Sequence, residues 1–343
     1  MPRIRTKRKR QKTALITGIT GQDGSYMAEF LLRKGYKVAG LVRKTSHFKY
    51  ANIDHIQERL NLIQADLLDP VSLIEALRQV NPDEVYNFAS QSVPAESFKQ
   101  PIHTAEITAI GAHRMLDAVR EVCPKAKFYQ ASSSEMYGWV REIPQSEDTP
   151  FNPANPYATA KLYAHNMTKI YRESYGMFAV CGILFNHESP RRALSFVTQK
   201  VAYAAACAKL GVRNSEYLNE EGEPIVKNGK VAMGNLEAKR DWGYAGDYVE
   251  AAYLMLQQAK PQDSVIGTGE THTVRELCQE AFSSVGKNWK KYVTVDRRFV
   301  RPTETGPLVA DASRAKKILG WKPRVKFKEL MRKMVDANIA RLK

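Results

Sequence analysis

Short apolar runs alternate with stretches of helical periodicity through the first half of the chain. The runs predict six strands: Thr13–Thr17, Lys37–Val42, Asn61–Ala65, Glu84–Ala89, Lys127–Ala131 and Ala179–Leu184. Between them, apolar residues at every third or fourth position predict helices over Ser25–Lys34, Pro70–Val80, Ile102–Val122 and Ala158–Tyr175. Strands that alternate with helices at this interval predict an α/β fold with a doubly wound parallel sheet and right-handed crossovers.

The alternation becomes less regular after Asn186. One more sheet strand is predicted at Val265–Gly267, and helices are predicted over Phe196–Leu210, Gly246–Ala259, Thr273–Ser284 and Phe327–Leu342. The polar stretch Arg213–Lys230 has no clear period. We therefore predict a Rossmann-type cofactor-binding domain over residues 13–185, to which later segments return. A smaller α/β region, residues 186–343, is predicted to cover the carboxyl ends of the strands and to bind substrate.

A glycine-rich turn joins the first predicted strand to the first helix. Its pattern is G-x-x-G-x-x-G. Such a turn lets the backbone approach a dinucleotide, whose pyrophosphate then lies at the N-terminus of the helix. The predicted cofactor-binding residues of this turn are Gly18, Ile19, Thr20, Gly21, Gln22, Asp23 and Gly24.

Residues that follow the next three strands specify the cofactor further. Arg43 follows the second strand, where an acid would favour NAD and a cation suits the 2′-phosphate of NADP. Asp66, beside Leu67 after the third strand, is predicted to accept a hydrogen bond from the adenine amino group. The end of the fourth strand is predicted to pass beneath the nicotinamide with Phe88, Ala89, Ser90, Gln91 and Ser92. We therefore predict NADP as the cofactor.

Hydroxyl, carboxyl and amino groups cluster after the fifth predicted strand. Ser133 and Glu135 follow that strand, while Tyr157 and Lys161, four residues apart, lie on one face of the next helix. The ammonium of Lys161, together with an oxidised nicotinamide, is expected to lower the pKa of Tyr157 so that it deprotonates a substrate hydroxyl. Ser133 is predicted to bind the new ketone, and Glu135 supplies a second acid/base for the loss of water. These four residues are the predicted catalytic group.

Composition limits the other classes of function. The chain has 343 residues, of which 43% are hydrophobic and 26% charged, as in a globular protein. Seven positive charges in residues 3–12 account for much of the net charge of +16, so residues 1–12 are predicted to be a disordered basic tail. No apolar run approaches the roughly 18 residues of a membrane span, and four scattered cysteines indicate a cytoplasmic protein without a metal site. Nucleic-acid binding remains an alternative of a different class.

The motifs resemble those of GDP-mannose 4,6-dehydratases, in the extended short-chain dehydrogenase/reductase family. The resemblance covers residues 13 to about 335 and rests on the segments GITGQDGSYMAEFLL, ASSSEMYG, NPYATAK, NHESPRR and NLEAKRDWG. It implies NADP-dependent conversion of GDP-mannose to GDP-4-keto-6-deoxymannose, in which Tyr157 acts at the 4-hydroxyl and Glu135 at C5 and the 6-hydroxyl. It also implies a homodimer or homotetramer, in which Arg43–Tyr50 contacts a neighbouring subunit.

The resemblance assigns further binding residues. It places His187 and Arg192 near NADP. The residues that it implies for the substrate are Asn186 on the diphosphate, Lys200 toward the nucleotide, Arg240 and Arg301 on the diphosphate, and Glu304 on the ribose. Two arginines against a diphosphate would form bidentate hydrogen bonds.

Three features depart from the family pattern. Ser133 stands where many relatives have Thr, and His103 stands where relatives have Tyr, so His103 is not a predicted ligand. Residues 213–230 form a longer polar stretch than the family has, which is either a surface insertion or a change in base recognition or assembly. A dehydratase of another GDP-sugar, such as a GDP-heptose, and a 4-epimerase of nucleotide sugars remain alternative functions.

Overall fold

The computed structural model describes residues 10–44, 50–300 and 306–343. Most of the basic tail, five residues of the predicted contact between subunits, and the predicted substrate residues Arg301 and Glu304 therefore lie outside the described residues. All four predicted catalytic residues lie within the described ranges.

The described residues form fourteen strands and eleven α-helices, labelled in chain order. The strands are β1 Thr13–Thr17, β2 Lys37–Val42, β3 Asn61–Gln64, β4 Glu84–Asn87, β5 Lys127–Ser133, β6 Ala179–Leu184, β7 Asn186–Glu188, β8 Val226–Lys227, β9 Lys230–Met233, β10 Lys239–Arg240, β11 Trp242–Tyr244, β12 Ser264–Ile266, β13 His272–Thr273 and β14 Val293–Val295. The helices are α1 Gln22–Arg33, α2 Pro70–Val80, α3 Pro94–Lys99, α4 Pro101–Thr104, α5 Gly111–Val122, α6 Pro156–Tyr175, α7 Val197–Leu210, α8 Ala245–Leu256, α9 Val274–Ser283, α10 Ser313–Leu319 and α11 Phe327–Leu342.

The central sheet has seven parallel strands in the order β12-β6-β5-β4-β1-β2-β3. The chain moves outward from β1 to β3 on one side, then crosses to β4 and continues to β12 on the other. The strand order therefore reverses between β1 and β4, and ligands of such sheets bind in the crevice at the carboxyl ends there. The predicted doubly wound fold is confirmed.

Helices cover both faces of this sheet. On one face, α1 and α8 pack together around Met27, Leu31 and Val249, all of which are buried. On the other face, α2 and α5 pack around Leu73 and Met115. Because β12 and α8 come late in the chain, segments beyond residue 185 do belong to the central sheet and its helical layers.

A second core lies outside the central sheet. Helices α7, α9 and α11 pack on one another around buried residues such as Val201, Leu277 and Met334. Three small sheets accompany them: β10-β13, β11-β7 and β14-β9-β8. This arrangement builds the smaller α/β region predicted for the second part of the chain.

The largest local differences from prediction occur in two segments. The single helix predicted over Ile102–Val122 is divided by a π-helical turn, Ala105–Ile110, between α4 and α5. The polar stretch that showed no period contains β8, and a tight turn with positive φ at Asn228 and Gly229 connects β8 to β9. Both features depend on contacts beyond the segment, which periodicity does not record.

Within the described ranges, no helix has the length and apolar composition needed to cross a membrane. All four cysteines, Cys123, Cys181, Cys207 and Cys278, are buried and unpaired. Cys181 lies near His165 and Asp263, within 4.8 Å. The Asp263 carboxylate already accepts hydrogen bonds from the Arg172 guanidinium and from the Cys181 backbone N–H.

Candidate active site

The end of β5 presents the predicted hydroxyl and carboxyl groups. Ser133 is the last residue of the strand, and its Oγ accepts a hydrogen bond from the Glu135 backbone N–H at 3.2 Å. This bond caps the N-terminus of the 3₁₀ helix Ser134–Tyr137. Glu135 Oε2 accepts from Asn155 Nδ2 at 3.1 Å. The Ser133 cap and the Asn155 amide thus fix Glu135 immediately beyond the carboxyl end of a central strand.

Asn155 connects the two halves of this site, and its role was not predicted from the sequence. Its Oδ1 accepts from the Ala158 backbone at 2.8 Å and caps α6, which begins with Pro156. Asn before Pro at the first helical position is a recognised N-terminal signal of a helix. That signal locates the cap, whereas the bond from its amide to Glu135 is visible only in three dimensions.

Tyr157 and Lys161 lie side by side on the first turns of α6. Both side chains are buried, and Lys161 Nζ lies 5.8 Å from the centre of the Tyr157 ring. Lys161 Nζ donates to the carbonyl of Ala131 in β5 at 2.9 Å. The helix is therefore bonded to the strand that carries Ser133, and the four predicted catalytic residues lie together.

Burial controls the protonation of Tyr157 and Lys161. Burial raises the pKa of Tyr157 to about 12. The hydrogen bond with Ser133 acts in the opposite direction, but its effect is smaller. Burial also lowers the pKa of Lys161 to about 8. Within the protein alone, the pKa of Tyr157 is thus raised rather than lowered. The lowering expected from the sequence requires the added positive charge of an oxidised nicotinamide.

The glycine turn has the geometry of a dinucleotide cradle. Gly18 has a φ of 67°, and a Cβ there would lie 2.9 Å from the Ala89 nitrogen. A Cβ on Gly24 would lie 2.3 Å from the Gly18 carbonyl. Gly21 precedes α1 and makes no side-chain cap, so backbone N–H groups of the first turn face outward for an anion. The residues present therefore fit a dinucleotide pyrophosphate.

Replacing Gly24 with Ala is expected to weaken cofactor binding about tenfold or more, because a backbone atom of the turn must move to admit the methyl group. Nucleotide released from the purified protein measures the loss. Gly176→Ala is the control, since a Cβ there meets nothing within 4 Å, although Gly176, unlike Gly24, has a positive φ that strains an alanine. The Gly176 variant should lose some stability but should keep the cofactor affinity of the wild-type protein. Full occupancy in the Gly24 variant would contradict the assignment of the cradle.

The other predicted cofactor residues occupy the carboxyl ends of β2, β3 and β4. Arg43 is exposed directly after β2. Asp66 Oδ1 accepts from the Leu68 backbone, so it also shapes the turn after β3. Ile19 and Leu67 have buried side chains, which leaves them only backbone atoms with which to contact a cofactor.

The segment after β4 holds an unsatisfied polar atom. Ala89 donates to Thr17 Oγ1, and the Gln91 backbone donates to Thr108 Oγ1. Ser90 and Ser92 share a hydrogen bond between hydroxyls at 3.0 Å. Gln91 Oε1 is buried without a hydrogen-bond partner in the described part of the chain. An unsatisfied acceptor beside the cradle fits the binding of a polar ligand group.

His187 forms an ion pair with the cofactor turn. In β7, its Nε2 lies 2.9 Å from Asp23 Oδ2, and its Nδ1 lies 2.8 Å from the Phe185 carbonyl. Both ring nitrogens face acceptors, which is the pattern of an imidazolium. Burial opposes the charge, yet the Asp23 carboxylate raises the pKa of His187 above its usual value. Burial likewise opposes ionisation of Asp23, but His187 lowers its pKa to about 2.

The variant Asp23→Asn is expected to lose stability in a pH-dependent way. The stability from Asp23 is present above its unfolded pKa near 3.8 and is lost as the pH falls toward 2. The stability from His187 is present below pH 6.5 and is lost as the pH rises through its raised folded pKa. Melting temperatures should therefore differ most between about pH 4 and 6.5, where the pair contributes about 2 kcal/mol, and less at pH 9. The exposed Asp54→Asn is the control, and a constant difference across pH would contradict the ion pair.

Arg192 has a partly unsatisfied guanidinium near the catalytic group. Its Cζ lies 3.5 Å from the centre of the Phe196 ring, and its charge lowers the pKa of Tyr157. Nε lies 3.1 Å from Glu188 Oε2, but it makes no hydrogen bond within the described residues. An unsatisfied buried donor there fits the predicted contact with an anionic or carbonyl group of the cofactor.

The predicted substrate residues lie on other elements. Asn186 begins β7, which pairs with β11. Lys200 is 5% exposed in α7, where its Nζ lies 3.9 Å from the centre of the Phe299 ring. Arg240 is buried in β10 and donates to the Lys239 carbonyl.

A cleft of about 420 Å³ opens next to this region. It ends at the last residue before the undescribed segment 301–305, which contains two of the predicted substrate residues. Its lining residues are Gly234, Asn235, Leu236, Glu237, Arg275, Val295, Arg297 and Val300. This cleft was not predicted from the sequence, since its walls come from separate parts of the chain: the loop before β10, which begins the NLEAKRDWG segment, together with α9, β14 and the residues after β14.

The fold and site together define a class of protein. A dinucleotide cradle at the switch point of the sheet, with Ser, Tyr and Lys beside it, is the arrangement of nicotinamide-dependent short-chain dehydrogenases/reductases. The structure of UDP-glucose 4-epimerase from Thermus thermophilus in complex with NAD matches this chain with a TM-score of 0.80 and 27% sequence identity. The match covers 95% of this chain and 98% of that structure. The structure of RMD from Pseudomonas aeruginosa, complexed with NADPH, matches with a TM-score of 0.78 and 23% sequence identity. The match covers 96% of this chain and 100% of that structure, so the two share the fold.

Sequence comparison identifies the particular family. The family model of GDP-mannose 4,6 dehydratase matches residues 15–334. GDP-mannose 4,6 dehydratase 2 of Arabidopsis thaliana is 50% identical over 341 residues, which cover 96% of this chain and 87% of the relative. The chain belongs to the GDP-mannose 4,6 dehydratase family, and the family predicted from the sequence is confirmed.

Proposed function

We infer that this chain is a GDP-mannose 4,6-dehydratase, a hydro-lyase that converts GDP-mannose to GDP-4-keto-6-deoxymannose. The observation that carries this inference is the 50% identity to a curated dehydratase over nearly the whole chain, within a matching family model. The activity predicted from the sequence is confirmed at this level. The roles of individual residues, below, are our proposals.

The first step is oxidation of the 4-hydroxyl, and it falls to Tyr157. Tyr157 takes the hydroxyl proton while Ser133, hydrogen-bonded to it, donates to the oxygen that becomes the ketone. Lys161 holds positive charge beside the phenol and is fixed by the Ala131 carbonyl. The nicotinamide, when bound, supplies the site that accepts hydride and returns it.

The second step is elimination of water, and it falls to Glu135. Once C4 is a ketone, the neighbouring C5 proton becomes acidic enough for a carboxylate to remove. Glu135 then gives this proton to the 6-hydroxyl, which leaves as water, and C5 takes a proton from solvent when C6 is later reduced. The Asn155 amide at 3.1 Å orients the carboxylate without neutralising it.

For the cofactor, we propose NADP. The support is Arg43, which lies exposed at the carboxyl end of β2, where the adenosine ribose of a dinucleotide lies in such folds. Mass spectrometry of the nucleotide released from purified protein tests this, and recovery of NAD alone would contradict it.

For the substrate, we propose that Asn186 and Arg240 bind the GDP diphosphate and that Lys200 lies toward the nucleotide. The buried Lys200 ammonium and the adjacent cleft support this placement. Arg301 and Glu304 complete the proposed set but lie outside the described residues. We further propose a cytoplasmic homodimer or homotetramer.

The decisive experiment is incubation with GDP-mannose without added reductant, followed by NMR of the sugar. The expected product is a 4-keto-6-deoxy sugar that carries deuterium at C5 when the reaction runs in D₂O. An unchanged sugar would refute the substrate and leave another GDP-sugar, such as a GDP-heptose. An epimerised sugar would indicate a 4-epimerase. Binding of polynucleotide without any turnover would favour the nucleic-acid alternative.

A further inference from the structure

The side-chain amide of Asn155 bonds to two elements at once. Its Oδ1 accepts from the Ala158 backbone at 2.8 Å, and its Nδ2 donates to Glu135 Oε2 at 3.1 Å. The backbone N–H of Ala158 can only donate, so its partner must be the amide oxygen, and the NH₂ group must then face the carboxylate. The helix cap therefore fixes the orientation of the amide toward Glu135.

The backbone of Asn155 is fixed as firmly as its side chain. Its carbonyl accepts from the backbone N–H and from the hydroxyl of Thr159, each at 3.1 Å. Its φ of −153° and ψ of 162° lie in the extended region that a following proline, here Pro156, favours. Glu135 is thus held by a donor whose own position does not depend on Glu135.

Separate contacts join the same loop to the 3₁₀ helix that contains Glu135. The Asn152 backbone donates to the Met136 carbonyl, and the Asn152 carbonyl accepts from the Trp139 backbone, each at 3.0 Å. Neither bond involves the Asn155 side chain. Loss of the Asn155 amide should therefore release the Glu135 carboxylate without separating the loop from the helix.

The charge of Glu135 also reaches the other acid/base of the site. It raises the pKa of Tyr157, so the carboxylate lies close enough to influence the phenol. A carboxylate free to rotate could accept the hydrogen bond of the phenol instead of removing the C5 proton. The amide of Asn155 is neutral, so it fixes one carboxylate oxygen and leaves the group charged and able to act as a base.

We propose that Asn155 is a positioning residue for elimination, whose amide holds the Glu135 carboxylate for the C5 proton while oxidation at C4 proceeds without that contact. The proposal rests on the proposed function, in which Glu135 removes the C5 proton. The groups assigned to oxidation have bonds of their own: Lys161 donates to the Ala131 carbonyl, which does not involve Asn155. Removal of the amide alone should therefore slow elimination and spare oxidation.

The first test is Asn155→Ser, because serine caps helices as well as asparagine does but has no amide and a shorter side chain. Single-turnover absorbance should show oxidation at the wild-type rate. Decay of the reduced nicotinamide should slow by about ten- to hundredfold, the effect of losing one hydrogen bond to a charged group. Asn288→Ser makes the same change at the cap of the 3₁₀ helix Trp289–Lys291, and this control should alter neither rate.

The second test, Asn155→Asp, uses pH to separate positioning from capping. While protonated, the new carboxyl can donate to Glu135 as the amide does; once ionised, it can only accept, and its charge repels that of Glu135. Elimination relative to oxidation should therefore fall as the pH rises from about 5 to about 8. A residue that only capped α6 would show the opposite trend, because an ionised carboxylate is favoured at the positive end of a helix.

Two results would overturn the positioning role. Unchanged decay of the reduced nicotinamide in the Asn155→Ser variant would mean that the amide does not hold Glu135 for elimination. Equal losses in oxidation and elimination would mean that Asn155 only caps α6. If the wild-type protein forms no 4-keto sugar from GDP-mannose, the proposed function fails and this inference falls with it, whereas wild-type turnover with an unaffected variant removes the inference alone. Melting temperatures confirm that each variant is folded.

Discussion

Replacement of Glu135 with Gln is expected to stop the reaction after oxidation and to leave reduced nicotinamide bound to the protein. Gln keeps the size of the side chain and the contact with Asn155, but it cannot remove the C5 proton or protonate the 6-hydroxyl. General acid/base groups contribute about 10²- to 10⁴-fold, so turnover should fall by that factor. Single-turnover absorbance of the reduced nicotinamide measures the arrest.

The arrest distinguishes a chemical role for Glu135 from a structural one. A residue that merely shaped the 3₁₀ helix would weaken every step together, with no accumulation of reduced cofactor. Glu173→Gln, an exposed carboxylate on α6, serves as the matched control and should turn over normally. Wild-type turnover by the Glu135 variant would remove this residue from the mechanism.

The central sheet was predictable because buried parallel strands are continuous apolar runs. The bounds of β1, β2 and β6 match their predictions, since these strands are buried on both faces. Short strands such as β7 and β11 could not be found this way. Each has three residues, too few for any period, and each is formed by pairing with the other.

The clustering of the four proposed catalytic residues could be predicted because these residues are close together in the sequence. Tyr157 and Lys161 are one helical turn apart, and Ser133 and Glu135 follow one strand. By contrast, the ion pair between Asp23 and His187 joins residues 164 positions apart, so no local pattern contains it. The raised pKa of Tyr157 was also unpredictable, because burial determines it and only the folded chain specifies burial.

Replacement of Tyr157 with Phe is expected to stop the reaction one step earlier than the Glu135 variant does. Phe fills the same buried space beside Lys161 but has no hydroxyl to receive the 4-hydroxyl proton or to bond with Ser133. Turnover should fall by about 10²- to 10⁴-fold with no reduced nicotinamide formed. If Tyr157 is the base, kcat of the wild-type protein should rise with pH as the phenol loses its proton, and this rise should be absent from the Tyr157 variant.

Tyr163→Phe is the matched control, because this tyrosine lies on the same helix and bonds to His113 at 2.9 Å, away from the catalytic group. It should keep both its turnover and its pH profile. The two catalytic variants then separate the half-reactions: the Glu135 variant oxidises without eliminating, and the Tyr157 variant does neither. Reduced nicotinamide in the Tyr157 variant would show that another group removes the hydroxyl proton. In that event Lys161, whose pKa of about 8 permits a neutral amine, becomes the base to test next.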